Sequence, residues 1–166
     1  MTLEARLEKL EAAHRILQAK EDIRHLITRY ARAIDENVGA EIVDIFTEDA
    51  VSQSLPWGAG RLQEGRDRVV RSFTNYIATF EKPRRFIMNE QIDVTGERTA
   101  TGWANWFVVQ SFKGESYYGW GFYEWDFKLC DDDIWRFSRM IINLESMTTL
   151  DRGWGDPQKR VMDYPS

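Results

Sequence analysis

The chain has one cysteine, Cys130, and two histidines, His14 and His25. One thiol makes no intrachain disulfide and no cysteine-rich zinc site. The histidines both fall in the N-terminal helical region, and neither has a second histidine nearby to form a metal pair. There is no basic excess: 22 Lys and Arg face 27 Asp and Glu, a net charge of −5. That balance excludes the electrostatic footprint of a DNA- or RNA-binding chain. No apolar run approaches the roughly 20 residues that cross a bilayer. The first fifteen residues are charged and helical and lack the apolar core of a secretory signal. A soluble, cytoplasmic protein is therefore expected. Also missing are a G-x-S-x-G elbow, a Walker loop and a G-x-G-x-x-G turn opening a helix.

What is present is a chain of 166 residues, one domain in size, with 43% hydrophobic and 30% charged residues. Aromatic residues reach 13%, with 7 Trp, 6 Tyr and 9 Phe. Such rings fill a core or line a pocket for a flat ligand. Leu3, Leu7, Leu10, His14 and Leu17 recur at helical spacing, and the pattern resumes at Ile23, Leu26, Ile27, Tyr30, Ala31 and Ile34. Gly39 reads as a helix stop. A short helix is predicted over Ala40–Phe46 and another over Asp67–Phe80, with Val69, Val70, Phe73, Tyr76 and Ile77 on its apolar side.

The period then changes. Arg84–Val94, Ala100–Phe112, Glu115–Leu129 and Trp135–Thr149 read as long strands rich in Ile, Val, Trp, Tyr and Phe. Turn residues at 95–98, Lys113-Gly114 and 131–133 join them into an antiparallel meander. A short strand is predicted over Ala50–Leu55, and an irregular tail from Arg152. Helices first and antiparallel strands later make an α+β domain. A curved sheet wrapped around N-terminal helices would leave an internal pocket. Gly119-Trp120-Gly121, inside a strand, marks a bend or close packing.

Asp35 falls in the last turn of its helix, where a carboxylate opposes the helix dipole at a cost of about 0.3–1 kcal/mol. It is either a solvated helix end or a carboxylate turned into the pocket. Tyr30, one turn earlier, is a core tyrosine or a hydrogen-bond donor beside that carboxylate. Arg84 and Arg85 follow Pro83 at the start of a strand; either both are surface charges, or alternation sends one of them inward. A buried arginine wants an anion or a carboxylate.

The stretch from Asp22 through Tyr30 to Asp35, followed by Ile45-Phe46-Thr47-Glu48-Asp49-Ala50-Val51, resembles the opening of SnoaL-like proteins of the nuclear-transport-factor-2-like superfamily. Asn89, Gln91–Val94, Thr99–Gly102 and Trp135-Arg136-Phe137 continue the likeness, which covers about residues 20–145. The resemblance implies a single domain over residues 1–166, with residues 1–20 a helical extension and 150–166 an irregular tail. It implies a cone of antiparallel sheet closed by helices, cystatin-like in class. The branch it is most similar to holds scytalone dehydratase and bile-acid 7α-dehydratase. These run eliminations without a cofactor, using a Tyr, an Asp and a His.

Tyr30 and Asp35 match the first two of those residues. The family histidine stands four residues before the strand Asn, and here Arg85 occupies that place before Asn89. Arginine stays protonated and serves as no general base. The resemblance therefore implies a cofactor-free lyase in which Arg85 holds a developing anion. Its substrate would be an aromatic, phenolic small molecule such as a lignin-derived diarylpropane, losing water or formaldehyde. Trp57, Trp106, Tyr118, Trp120, Met140 and Asn89 are the expected substrate contacts. The alternative is a non-catalytic binding or assembly module, like the small subunit of a ring-hydroxylating dioxygenase. The leucine stripe before residue 18 predicts a homo-oligomer, a trimer or a dimer, with the trimer favoured by the resemblance.

Overall fold

The computed structural model describes residues 2–55 and 62–156. Helix α1 runs unbroken over Leu3–Asp35, opened by the Thr2 hydroxyl accepting from the Ala5 N–H at 3.3 Å. The two apolar stripes read from the sequence thus lie on one helix, since the joining residues 18–22 include no glycine or proline. Only its second half is buried, through Ile23, Leu26, Ile27, Tyr30, Ala33 and Ile34. Residues 2–18 are all exposed.

The helix ends at Asp35, before the expected glycine at Gly39. Asn37 takes the left-handed conformation, with φ 58°, and the Val38 N–H reaches back to the Ala33 carbonyl at 2.9 Å. Asparagine tolerates that conformation and supplies the stop. Gly39 instead opens α2, Gly39–Asp44. Strand β1, Phe46–Leu55, begins where the sequence placed the end of a helix. A two-residue strand β2, Gln63–Glu64, leads into α3, Arg66–Thr79, which buries Val69, Phe73 and Ile77.

The meander follows as β3 (Glu81–Val94), β4 (Thr99–Phe112), β5 (Glu115–Leu129) and β6 (Trp135–Thr149). Lys113 and Gly114, with φ 50° and 82°, make the two-residue turn between β4 and β5. Two left-handed residues in that place match the twist of the flanking strands. The sheet order is β2-β1-β6-β5-β4-β3. β1 runs parallel to β6, pairing Phe46 with Phe137 and Leu55 with Asn143, and every other pair is antiparallel. Register shifts between Met88 and Gln91, Trp120 and Gly121, and Asp126 and Phe127 bend the strands, so the sheet curves but stays open.

The inner face carries Ala104, Trp106 and Val108 of β4, Tyr123, Trp125 and Phe127 of β5, and Phe137, Met140 and Met147 of β6, and it packs on α1 and α3. Tyr30 meets Phe73, Tyr123 and Phe137 edge-on at 5.6–6.0 Å. Burying one such ring contributes about 1.5–3 kcal/mol, and edge-on contact adds to it. Among the described residues, no helix is long and apolar enough to cross a membrane.

Candidate active site

The site forms where the end of α1 meets the start of β3. Among the described residues β3 is an edge strand, and one side of its backbone has no strand partner. Asp35 fills that place. Its two carboxylate oxygens accept the Arg85 N–H at 3.0 and 3.2 Å. Arg84 covers the same helix end, its Nη1 donating to the Asp35 carbonyl at 3.0 Å. A carboxylate unfavourable to the helix dipole is thus held by strand contacts, and a cation sits where the dipole wants one. Pro83 and the left-handed Lys82 fall within a register shift between Glu81 and Arg84. That shift sets the phase of β3, so Arg84 lies outside and Arg85 points inward.

Arg85 reaches the phenols. Its Nη1 donates to the Tyr30 hydroxyl oxygen at 2.9 Å, and the Tyr30 and Tyr123 hydroxyls lie 3.2 Å apart. The guanidinium carbon stands 5.4 Å from the Tyr30 ring centre and 5.2 Å from that of Tyr76, a cation–π arrangement. The Tyr76 hydroxyl donates to Gln110 Oε1. Arg85 Nε is buried and has no hydrogen-bond partner among the described residues. Tyr30 and Tyr123 are fully buried, whereas Asp35, Tyr76 and Arg85 are half-buried, so the cluster reaches solvent at their end.

The electrostatics follow from this packing. Burial opposes the charge on Arg85, yet the oxygens of Tyr123, Tyr30 and Tyr76 and the Asp35 carboxylate outweigh it and hold its pKa above the ordinary value. Burial lifts Tyr30 well above the usual phenol range against the pull of Arg85, and it lifts Tyr76 too. Burial also raises Asp35, although the Arg85 N–H and the charges of Arg85 and Arg84 work the other way. The cluster therefore offers a fixed cation, a phenol whose oxygen already accepts one hydrogen bond, and a carboxylate made more basic than usual.

The structure brings Tyr30, Asp35 and Arg85 together and sorts the expected substrate contacts. Trp106 is buried on the inner face, 6.1 Å from the Tyr123 ring, with its indole N–H unpartnered. Met140 is also inward, opposite Trp125 and fully buried in the core. Tyr118 and Trp120 lie on the outer face, a correction to the sequence reading. Odd-numbered residues of β5 face the helices, so these two point away. They stack on each other at 6.1 Å, with Trp154 edge-on to both.

Asn89 is a second correction. It sits in the β3 register shift with φ 60°, exposed to solvent, because the extra residue there breaks the alternation that turns Arg85 inward. Trp57 lies outside the described residues. His14 and His25 are exposed on α1, His25 within 3.5 Å of Glu21. Among the described residues, no three His, Cys, Asp or Glu side chains cluster as a metal site requires.

The sequence reading of the site did not single out Tyr76, Tyr123 or Gln110. Gln110 carried a signal: it shares the phase of the buried Ala104, Trp106 and Val108, and a polar residue at a core position needs a partner. Tyr123 carried none beyond its own strand's alternation.

Residues 15–141 match the SnoaL-like domain family. The chain belongs to that family. No curated protein matches the chain. Solved structures with this SnoaL-like fold include a candidate scytalone dehydratase from Novosphingobium aromaticivorans DSM 12444, 19% identical, with a TM-score of 0.75 over 82% of this chain and 91% of that one. Hexachlorocyclohexane dehydrochlorinase LinA type 3 from Novosphingobium barchaimii LL02 is 14% identical, with a TM-score of 0.74 over 93% of this chain and 99% of that one. A candidate aromatic ring hydroxylase, also from N. aromaticivorans, is 24% identical, with a TM-score of 0.69 over 81% and 96%. At these identities the likeness is one of fold, a SnoaL-like α+β domain of the nuclear-transport-factor-2-like superfamily.

Proposed function

We propose that this SnoaL-like protein is a cofactor-independent lyase that carries out an elimination on an aromatic, phenolic small molecule such as a lignin-derived diarylpropane. The observation that carries the reading is the contact of Arg85 with both partners: its side chain donates to the Tyr30 hydroxyl while its backbone N–H holds the Asp35 carboxylate. Fold neighbours described as a dehydratase and a dehydrochlorinase, both named for eliminations, support the same class.

In dehydration the substrate's benzylic C–O bond breaks with its electron pair. The substrate reacts as its phenolate, whose ring electrons push out the leaving hydroxyl and give a quinone methide. Tyr30 supplies the proton that makes the leaving group water. Negative charge then grows on the Tyr30 oxygen, 2.9 Å from Arg85 Nη1, where a fixed cation costs no reorganisation. A substrate phenolate would find the unpartnered Nε of the same guanidinium. Asp35 takes the proton from the adjacent carbon, those C–H electrons form the new double bond and restore the substrate phenolate, and the proton on Asp35 passes through solvent to the Tyr30 oxygen, resetting both groups. In the formaldehyde-releasing variant, Asp35 takes the hydroxyl proton of a neighbouring hydroxymethyl group, the C–C bond breaks to release formaldehyde, and its electrons form the double bond of an alkene one carbon shorter.

Phenolic benzylic alcohols and diaryl compounds, followed by ultraviolet absorbance for new conjugation and by a colour test for formaldehyde, test this directly. Turnover without added cofactor is expected. Binding with no new conjugation across the set would replace the lyase with the non-catalytic binding module.

Three variants test the roles. Tyr30→Phe leaves Arg85 Nη1 and the Tyr123 hydroxyl each short of a partner, a cost of about 1–3 kcal/mol. Its kcat should fall further than that loss of stability explains. A lowered melting temperature with unchanged kcat would make Tyr30 structural only. Arg85→His is expected to lose anion stabilisation and to bring a new pH dependence near neutrality, where histidine titrates. Arg85→Lys keeps charge but not the planar fork, and should not restore full activity. Wild-type rates in both across pH would remove Arg85 from the chemistry.

A further inference from the structure

The first half of α1 has a face that the body of the protein does not cover. Leu3, Leu7, Leu10, His14 and Leu17 are spaced four, three, four and three residues apart, and all are exposed. Leu3 is 82%, Leu10 67% and Leu17 65% exposed. This is the 3.5-residue repeat of a coiled-coil seam, with Leu3, Leu10 and Leu17 at d and Leu7 and His14 at a. At about 100° per residue this seam and the buried stripe Ile23–Ile34 point to opposite sides of the helix. The sheet that covers the second stripe therefore cannot reach the first. The seam stops at Leu17, because its next two positions, Glu21 and Arg24, are charged and pair with each other at 3.3 Å.

We infer that residues 3–18 pair with the same segment of a second copy of this chain, as a parallel two-stranded coiled coil. Charge selects the partner and its direction. Glu4, Glu11 and Gln18 line one flank of the seam at e, while Arg6, Ala13 and Lys20 line the other at g. In a parallel pair, g of one helix meets the following e of its partner. That brings Arg6 to Glu11 twice, once on each side. An antiparallel pair sets e against e and g against g, Glu facing Glu and Arg facing Lys or Arg. The stripe is also narrow, with polar residues at nearly every flanking position, the width that two strands cover rather than three. With the two domains carried on the outer sides of the helices, the pairing meets no obstruction from the body. His14 sits at a, opposite its own copy, where one polar pair in an apolar seam fixes register at a cost in strength.

Sedimentation of the full chain at increasing micromolar concentration tests the inference. A mass of two chains is expected, shifting to one on dilution. Leu10→Glu should give a monomer at every concentration with unchanged thermal unfolding of the domain, since that side chain is exposed and lies on the half of α1 that is not buried among the described residues. Arg6→Glu should weaken the pair roughly tenfold by turning two attractive contacts repulsive, and Arg6→Glu with Glu11→Arg should restore it. These residues stand five apart and do not face each other on one helix, so rescue reports contact between copies. Leu3→Cys in a Cys130→Ser background should oxidise to a covalent pair, because only parallel register brings position 3 to its own copy. A monomer throughout, a trimer, or a dimer indifferent to Leu10→Glu and Arg6→Glu would each overturn the pairing. In the last case the association would lie elsewhere, as on the outer aromatic face of the sheet.

Discussion

Asp35→Asn should lower turnover by about 10²- to 10⁴-fold, the range that a positioned acid or base contributes, without loss of stability. The amide retains an acceptor for the Arg85 N–H but takes up no proton. The two halves of this expectation have one cause. Burial raises the Asp35 pKa despite the hydrogen bond from Arg85. A carboxyl whose folded pKa lies above its unfolded value stabilises the fold most below the unfolded value, and that contribution is lost as pH rises through the folded one. At neutral pH the ionised group is therefore a net cost, which asparagine relieves. The melting temperature at neutral pH should hold or rise while kcat collapses. In the wild type the acidic limb of the rate profile should lie above the ordinary aspartate value, with rate increasing as pH increases, and Asp35→Asn should abolish that limb. Unchanged kcat with a turned-over phenolic alcohol would remove Asp35 from proton transfer.

Gly121→Ala should destabilise the fold by about 3 kcal/mol, at the upper end for overpacked sites. A Cβ there would run into the backbone carbonyl of Asn143 on β6 and stand 3.0 Å from Cζ2 of Trp106. The first obstacle is backbone in the sheet and cannot swing aside. The second is the indole beside Tyr123, so relief by moving Trp106 would disturb the phenol that contacts Tyr30. Urea unfolding should show a lower midpoint with an unchanged slope. Gly39→Ala is the matched comparison. Nothing lies within 4 Å of its Cβ position, and it opens a helix, so its midpoint should stay or rise slightly. Equal midpoints in the two variants would contradict the close approach of β5 and β6.

The meander was legible because its signals are local. Glu115–Leu129 and Trp135–Thr149 run between turn residues at both ends, and the strands observed have those same limits. The union of two stripes into one helix was less visible, because their faces point in opposite directions. Which residues of β5 face inward was not legible, since Tyr118, Trp120, Tyr123 and Trp125 are aromatic in both phases. Only packing against α1 and α3 separates them. The choice between Arg84 and Arg85 was open for a related reason: an irregular register at Lys82 fixes the phase, and periodicity does not foresee an inserted residue. Tyr30 and Asp35 stood out as a helical pair, but Tyr76 and Tyr123 join them through tertiary packing alone.

The parallel pairing of β1 with β6 bears on how the chain reaches this state. β3 to β6 are built from neighbouring hairpins and need only short loops to close. β1 must wait for β6, some ninety residues later, as the Phe46–Phe137 register shows. Ile45 also gives its carbonyl to the Phe137 N–H at 2.9 Å. During synthesis the apolar side of α1 can meet β3 early, but the rings of Tyr30 and Phe46 wait for Phe137 of β6 until nearly the whole chain has emerged. Closing so long a loop late is slow, and the exposed interval falls on the half that carries Tyr30 and Asp35. Refolding after dilution from denaturant is therefore expected to be limited by the docking of β1 onto the meander, so that shortening the connection between Phe46 and Phe137 should speed it more than changes to the β4–β5 turn.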